Sequence, residues 1–411
     1  MALDAQLIEA ARQRLSAARE RSLDLDMTRG KPSAHQLDLA LPMLDLVTAS
    51  DFTSASGVDC RNYGGGSGLD EARTLFAPYF DVAAEEIFVL GNSSLQLMYD
   101  VLLQAVLRGV PGGSGPWSGG KILAPSPGYD RHFHLADFLG FEVVPVPMTD
   151  HGPDMEAVAR LTADDESVRA IFCVPRYSNP TGCVYSEETV RALAAMKTAA
   201  PDFRIVWDNA YSVHHLVDEP VPLANLLREC ESAGHADRAL MFGSTSKISF
   251  AGAGVSLFSA SEANRGWFAA HLTSQTIGPD KLNQLRHVRF FGDWEGVESH
   301  MRKHADLLRP KFAAVGEVLD ERLRDTGVAE WTKPEGGYFI SVDGAPGTAS
   351  KVAAMAREIG VKLTPAGATF PYGEDPEDRN LRVAPSFPSV DSLVQATEVL
   401  SDCLLVAAAE A

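Results

Sequence analysis

The chain has 411 residues, 45% of them hydrophobic and 22% charged, with 36 Lys and Arg against 55 Asp and Glu for a formal net charge of −19. That much apolar residue excludes a wholly disordered chain and supplies a core without disulfide staples, and the length allows about two to four folding units. An acidic balance of this size repels phosphate backbones and anionic lipids, which disfavours broad nucleic-acid or membrane-surface binding.

The N-terminal segment MALDAQLIEAARQRL is amphipathic and acidic early, without the basic start and apolar stretch of a secretory leader. The longest apolar run, 403–409, is too short to span a bilayer. Cys60, Cys173, Cys183, Cys230 and Cys403 are odd in number and scattered, and no pair has metal-ligand spacing. Reduced thiols in a cytoplasmic, soluble protein are the expectation, with no metal site.

Between 86 and 258, short apolar runs alternate with amphipathic stretches: EIFVL (86–90), KILAP (121–125), FEVVPV (141–146), AIFCV (170–174), RIVWD (204–208), ALMFG (239–243) and GVSLF (254–258). Strands without polar alternation are buried on both faces, so the pattern predicts an α/β fold with a mostly parallel sheet flanked by helices. The segment PGGSGPWSGG (111–120) reads as a flexible surface connection. After about 292 the texture changes. Leu308, Phe312, Val315 and Leu319 form one apolar stripe of a long helix, which Pro310 kinks or restarts. Two short strands (338–342 and 380–384) then alternate with helices (349–359 and 389–409), as in a smaller α+β domain. The expected division is an N-terminal segment 1–50 packing with the small domain, a large domain 51–292 and a small C-terminal domain 293–411.

In an open α/β sheet, ligands bind beyond the carboxyl ends of the strands. Five strand ends carry polar residues. Ser93 and Ser94 follow EIFVL, where they serve either as a helix cap or as a phosphate cradle. Tyr129 follows KILAP and either stacks on a planar ring or fills the core. Asn179, held extended before Pro180, follows AIFCVP and belongs either to a turn or to a ligand site. Asp208 closes RIVWD with Tyr211 three residues on; it is either an N-cap or the partner of a buried cation. Lys247 follows ALMFG among Ser244, Thr245 and Ser246; it points either to solvent or, partly desolvated, becomes a nucleophile able to form a Schiff base. In sequence order these are the fittings of a pyridoxal phosphate site.

Tyr177-Ser178-Asn179-Pro180-Thr181-Gly182, Asp208-x-x-Tyr211, Ser244-x-Ser246-Lys247 and Leu381-Arg382-Val383 resemble the motifs of class I/II aminotransferases of PLP-dependent transferase fold type I. Thr28-Arg29-Gly30-Lys31-Pro32 and the stretch from Ser246 to Gly254 resemble a bacterial subgroup of aspartate aminotransferases related to the aminotransferase domain of MocR-type regulators. The resemblance implies pyridoxal 5'-phosphate joined to Lys247, Asp208 on its ring nitrogen, and Asn179 and Tyr211 on its phenolic oxygen. It further implies Tyr129 stacked on the ring, Ser93, Ser94, Ser244 and Ser246 around the phosphate, and Arg382, Asn179 and Gly30 on the substrate. Tyr63 is expected to reach the phosphate of a partner subunit, making the unit a homodimer with shared active sites. The implied reaction is a ping-pong transfer of an amino group between an amino acid, L-aspartate first, and a 2-oxo acid, 2-oxoglutarate first. Aromatic or aminoadipate transamination, β-lyase chemistry and a non-catalytic ligand sensor are the alternatives. The arginine that the family usually carries seven or eight residues after the lysine is replaced by Gly254 or Val255. Arg29, Lys31, Arg131, Arg176 and Arg286 are the candidates for a substrate side-chain carboxylate.

Overall fold

The computed structural model describes residues 4–411; the first three residues of the N-terminal segment lie outside the described residues. The central sheet has eight strands in the order Ile87–Val89, Ser256–Ala260, Ala239–Ser244, Arg204–Asp208, Val168–Cys173, Lys121–Ser126, Glu142–Thr149 and Gly152–Pro153. The run from Ala239–Ser244 to Glu142–Thr149 is parallel throughout. Ser256–Ala260 and Gly152–Pro153 pair antiparallel with their neighbours. Successive side chains of one strand feed opposite cores: Ile205 and Trp207 pack on one face of the sheet and Val206 on the other. Burial on both faces is why these strands are uninterrupted apolar runs.

A second, smaller unit holds the antiparallel strands Ala329–Trp331, Ile340–Gly344 and Asn380–Val383, covered by the helices Ala349–Ile359 and Val390–Ala409. The helix Ala5–Arg19, capped by the Asp4 carboxylate, buries Ala11, Leu15 and Ala18 in this core. Leu25–Asp26 then pairs in parallel with Val361–Lys362. Farther along, Val47 packs on the core of the central sheet, and Arg289 donates to the Leu46 carbonyl. The most apolar window of Val390–Ala409 has a mean hydropathy of 1.4 and meets the length and composition of a membrane span, but 67% of it is buried inside the fold.

Two sequence expectations change. Pro310 does not begin a new helix: Trp294–Leu323 is one helix with the proline inside it. Leu308, Phe312, Val315 and Leu319 all pack into the smaller core, and that burial outweighs the backbone hydrogen bond a proline cannot donate. The same helix places Val297 and Met301 in the core of the large sheet, so it bridges the two cores. The segment 111–120 is not a loose connection either. Trp117 is 1% exposed and its Nε1 donates to Asp202 at 2.7 Å. Gly109 has φ +74, and a Cβ there would lie 2.3 Å from the Gly115 carbonyl oxygen, so these glycines permit close backbone approach around an anchored tryptophan.

Candidate active site

The parallel strands end on one edge of the sheet, and the turns that follow them converge there. Arg204–Asp208 delivers Asp208, 2% exposed, and the following turn delivers Tyr211, 3% exposed. One Asp208 oxygen, Oδ2, lies 3.0 Å from His132 Nε2, which as the N–H partner of a carboxylate donates to it. The His132 ring is stacked on Phe172 at 4.5 Å. The other oxygen, Oδ1, is buried with no hydrogen-bond partner. A buried carboxylate oxygen left unpaired is costly, and a cationic N–H of a ring is the kind of group that satisfies it.

Lys247 sits in the turn after Ala239–Ser244, its Nζ 5.0 Å from the centroid of the Tyr211 ring. Burial lowers its pKa, and the Asp208 charge acts in the opposite direction. The turn is held from beneath: the Tyr338 hydroxyl and His214 Nε2 lie 3.4 and 3.3 Å from the Lys247 carbonyl oxygen, and His300 Nε2 lies 2.8 Å from that of Ile248. Burial pushes the Tyr211 hydroxyl pKa well above and His214 well below their ordinary values. Tyr129, whose hydroxyl pKa is likewise raised by burial, opens the helix Asp130–Phe138 next to His132, with ring centroids 5.0 Å apart.

Ser244, Ser246 and the turn before Ser94–Arg108 meet. Ser244 Oγ donates to Ser246 Oγ at 3.1 Å, Ser246 Oγ donates to the Asn92 carbonyl at 3.3 Å, and Gly254 N–H donates to Asn92 Oδ1 at 2.8 Å. The position of the missing arginine is therefore tied to this turn by its backbone. Ser93 caps the helix, accepting from Gln96 N–H at 3.4 Å, and Ser94 is its first residue.

Arg382, on strand Asn380–Val383, is 8% exposed and comes to the same place from the smaller unit. Its Nη1 donates to Asp130 Oδ1 at 2.8 Å and to Asn179 Oδ1 at 3.3 Å, and its Nε donates to Thr364 Oγ1 at 3.4 Å. Its guanidinium lies 4.9 Å from the Phe339 ring centroid. Gly30 lies on the same ring, where an added Cβ would come within 2.1 Å of it. Lys247, Asp208, Tyr211, Tyr129, Asn179, Arg382 and the serines thus gather at one edge, with Gly30 against the Phe339 ring that Arg382 also meets. Tyr63 stands apart, 79% exposed, on a loop held by Lys281 Nζ through the Asn62 and Gly64 carbonyls.

Of the candidate side-chain cations, Arg29 pairs loosely with Asp26 at 3.6 Å and Lys31 lies over the Phe387 ring. Buried Arg176 donates to the Val221 carbonyl, and Arg286 donates to Asn283. Arg131 lines a hollow beside Ser93. A groove of about 710 Å³ between the two units runs past Thr181, Gly182 and Trp331 but does not reach Lys247. His132, Asp130, Thr364 and Phe339 were not singled out from sequence. Only His132 left a signal there, three residues after Tyr129 on one helix.

A mostly parallel sheet gathering a buried lysine, a half-paired aspartate and a buried arginine at its edge defines a fold type I, PLP-dependent aminotransferase. Residues 2–411 match the family model described as aspartate amino-transferase, and the chain belongs to that family. It is 47% identical over 405 residues to the aspartate aminotransferase of Corynebacterium glutamicum, covering 98% of this chain and 94% of that one. It superposes on a crystal structure of an aspartate transaminase from C. glutamicum with a TM-score of 0.96 at 47% identity, covering 99% of this chain and 97% of that one. The α-aminoadipate aminotransferase of Thermus thermophilus, solved with N-(5'-phosphopyridoxyl)-L-leucine, shares the fold with a TM-score of 0.75 at 20% identity, over 96% of this chain and of that one.

Proposed function

We propose that the protein transfers the amino group between L-aspartate and 2-oxoglutarate with pyridoxal 5'-phosphate held on Lys247. The observation that carries this reading is Asp208 Oδ1, a buried acceptor without a partner in the neighbourhood of a desolvated lysine. When bound, the cofactor supplies a protonated heterocycle that stabilises negative charge at the substrate Cα.

Asp208 holds the proton on the ring nitrogen through Oδ1, and His132 keeps the carboxylate oriented through Oδ2. Lys247, its ammonium pKa lowered by burial, gives up its proton more readily than a surface lysine and would take the proton from the substrate Cα. Asn179 and Tyr211 would hold the cofactor through its phenolic oxygen, and Tyr129 would pack against it. Ser93, Ser94, Ser244 and Ser246, with backbone N–H groups at the start of Ser94–Arg108, bind the phosphate in place of an arginine. Tyr63 of a second copy completes that shell, so the competent unit is a homodimer. Arg382 binds the substrate α-carboxylate as a fork, with Gly30 lining the same subsite. Residues 51–292 then carry the cofactor, and 293–411 with 1–50 bring Arg382 to it.

The test is the absorption spectrum of the holoprotein before and after aspartate, followed by keto-acid formation from a panel of amino acids. Aspartate should convert the cofactor and 2-oxoglutarate restore it. Fast turnover of an aromatic amino acid with aspartate inert would overturn the substrate, and no turnover of any amino acid would favour a sensor. A monomer fully active at dilute concentration would remove the role of Tyr63.

A further inference from the structure

We propose that Asp130 is a built-in competitor for the substrate α-carboxylate, occupying part of the Arg382 fork and setting how tightly carboxylate substrates bind. The inference rests on the reading of Arg382 as the carboxylate anchor. Three acceptors surround that guanidinium: Asp130 and Asn179 on Nη1, and Thr364 on Nε. Among the described residues no group accepts from Nη2, and Thr364 meets Nε only at 3.4 Å, so the open nitrogen is Nη2, flanked by Nη1 on one edge of the fork and by Nε on the other. A bidentate carboxylate takes Nη2 together with either neighbour, and Asp130 Oδ1 already lies 2.8 Å from Nη1.

On the Nη1 edge the incoming carboxylate shares that nitrogen with Asp130 or displaces it, and on the Nε edge it meets a guanidinium whose charge Asp130 already partly offsets, so on either edge a like charge stands beside it. Asp130 is suited to this role. It is the first residue of the helix Asp130–Phe138. Its side chain is 35% exposed against 8% for Arg382, so it can turn to water while the arginine stays in place. It also joins the two units, since it follows the strand Lys121–Ser126 of the large sheet while Arg382 belongs to the smaller one. A residue that only positioned Arg382 would have the opposite signature, because its loss would weaken binding.

The experiment is calorimetric titration of the holoenzyme with maleate, a dicarboxylate that cannot be transaminated, on wild type, Asp130→Asn, Asp130→Ala and Arg382→Lys. Both Asp130 variants should bind maleate on the order of fivefold tighter, the size of one modest ionic interaction removed. KM for aspartate and for 2-oxoglutarate should fall together while kcat does not rise in proportion. Unchanged or weaker maleate binding in whichever Asp130 variant folds overturns the proposal. Arg382→Lys separates the two readings. If it binds maleate like wild type, the carboxylate anchor itself is wrong; if it loses maleate while the Asp130 variants match wild type, only the role of Asp130 falls.

Discussion

At Asp208 two oxygens of one carboxylate have different fates: one is paired with His132 and the other is buried and free. The asymmetry makes separate predictions. His132→Leu leaves Oδ2 without its donor, and an unsatisfied buried acceptor costs about 1–3 kcal/mol. The expected result is a lower thermal midpoint in the cofactor-free protein together with a shifted pH dependence of the cofactor absorbance in the holoprotein. A change in midpoint alone would mean that His132 only packs against Phe172. Lys247→Ala should lose the cofactor's bound absorbance and nearly all turnover, and borohydride reduction with peptide mapping should label position 247 in the wild type. Retained turnover would refute the assignment of the lysine.

Elements bring these residues together by packing, and two of them can be probed directly. Gly30 has no side chain because the Phe339 ring occupies the space where one would go. Gly30→Ala should push Phe339 toward Arg382, raising KM for both substrates several-fold with a smaller change in kcat. An unchanged KM would show that the ring yields without moving the arginine. In the helix Trp294–Leu323, Leu308 is 2% exposed in the smaller core. Leu308→Ala should cost about 2–5 kcal/mol in denaturant unfolding, since the helix ties both cores and a cavity there cannot collapse freely. The apolar stripe of this helix was legible from its spacing, and so were the strand runs, because both record burial directly. The continuity of the helix through Pro310 and the anchoring of Trp117 were not legible, since each depends on what packs against the segment rather than on its own pattern.

For the molecule as a whole, buried histidines set the response to acid. Burial lowers the pKa of His287 to about 4 and of His304 to about 3, against an ordinary value of 6.5. Between those values the unfolded chain binds more protons than the folded one, so stability is complete above pH 6.5 and falls as pH drops toward 4. Each such group costs ~1.4 kcal/mol per pH unit across its window. Urea midpoints measured from pH 7 to 4.5 should fall steadily, and His287→Gln should flatten the slope. A slope unaltered by that substitution would place the acid sensitivity elsewhere.

The strand–helix alternation, the strand ends where polar residues collect, and the residue types fit for a PLP-dependent aminotransferase are all written in the order of residues along the chain. These signals are local: an apolar run, a turn before proline, a lysine among hydroxyls. Which group satisfies which is settled by packing. His132 and Asp208 are 76 residues apart and Asp130 and Arg382 are 252 apart, and each pair meets at contact distance through packing alone. A single chain's sequence carries the preference of each segment for burial or water, whereas a hydrogen bond between distant side chains exists only once the layers have set their separation and angle.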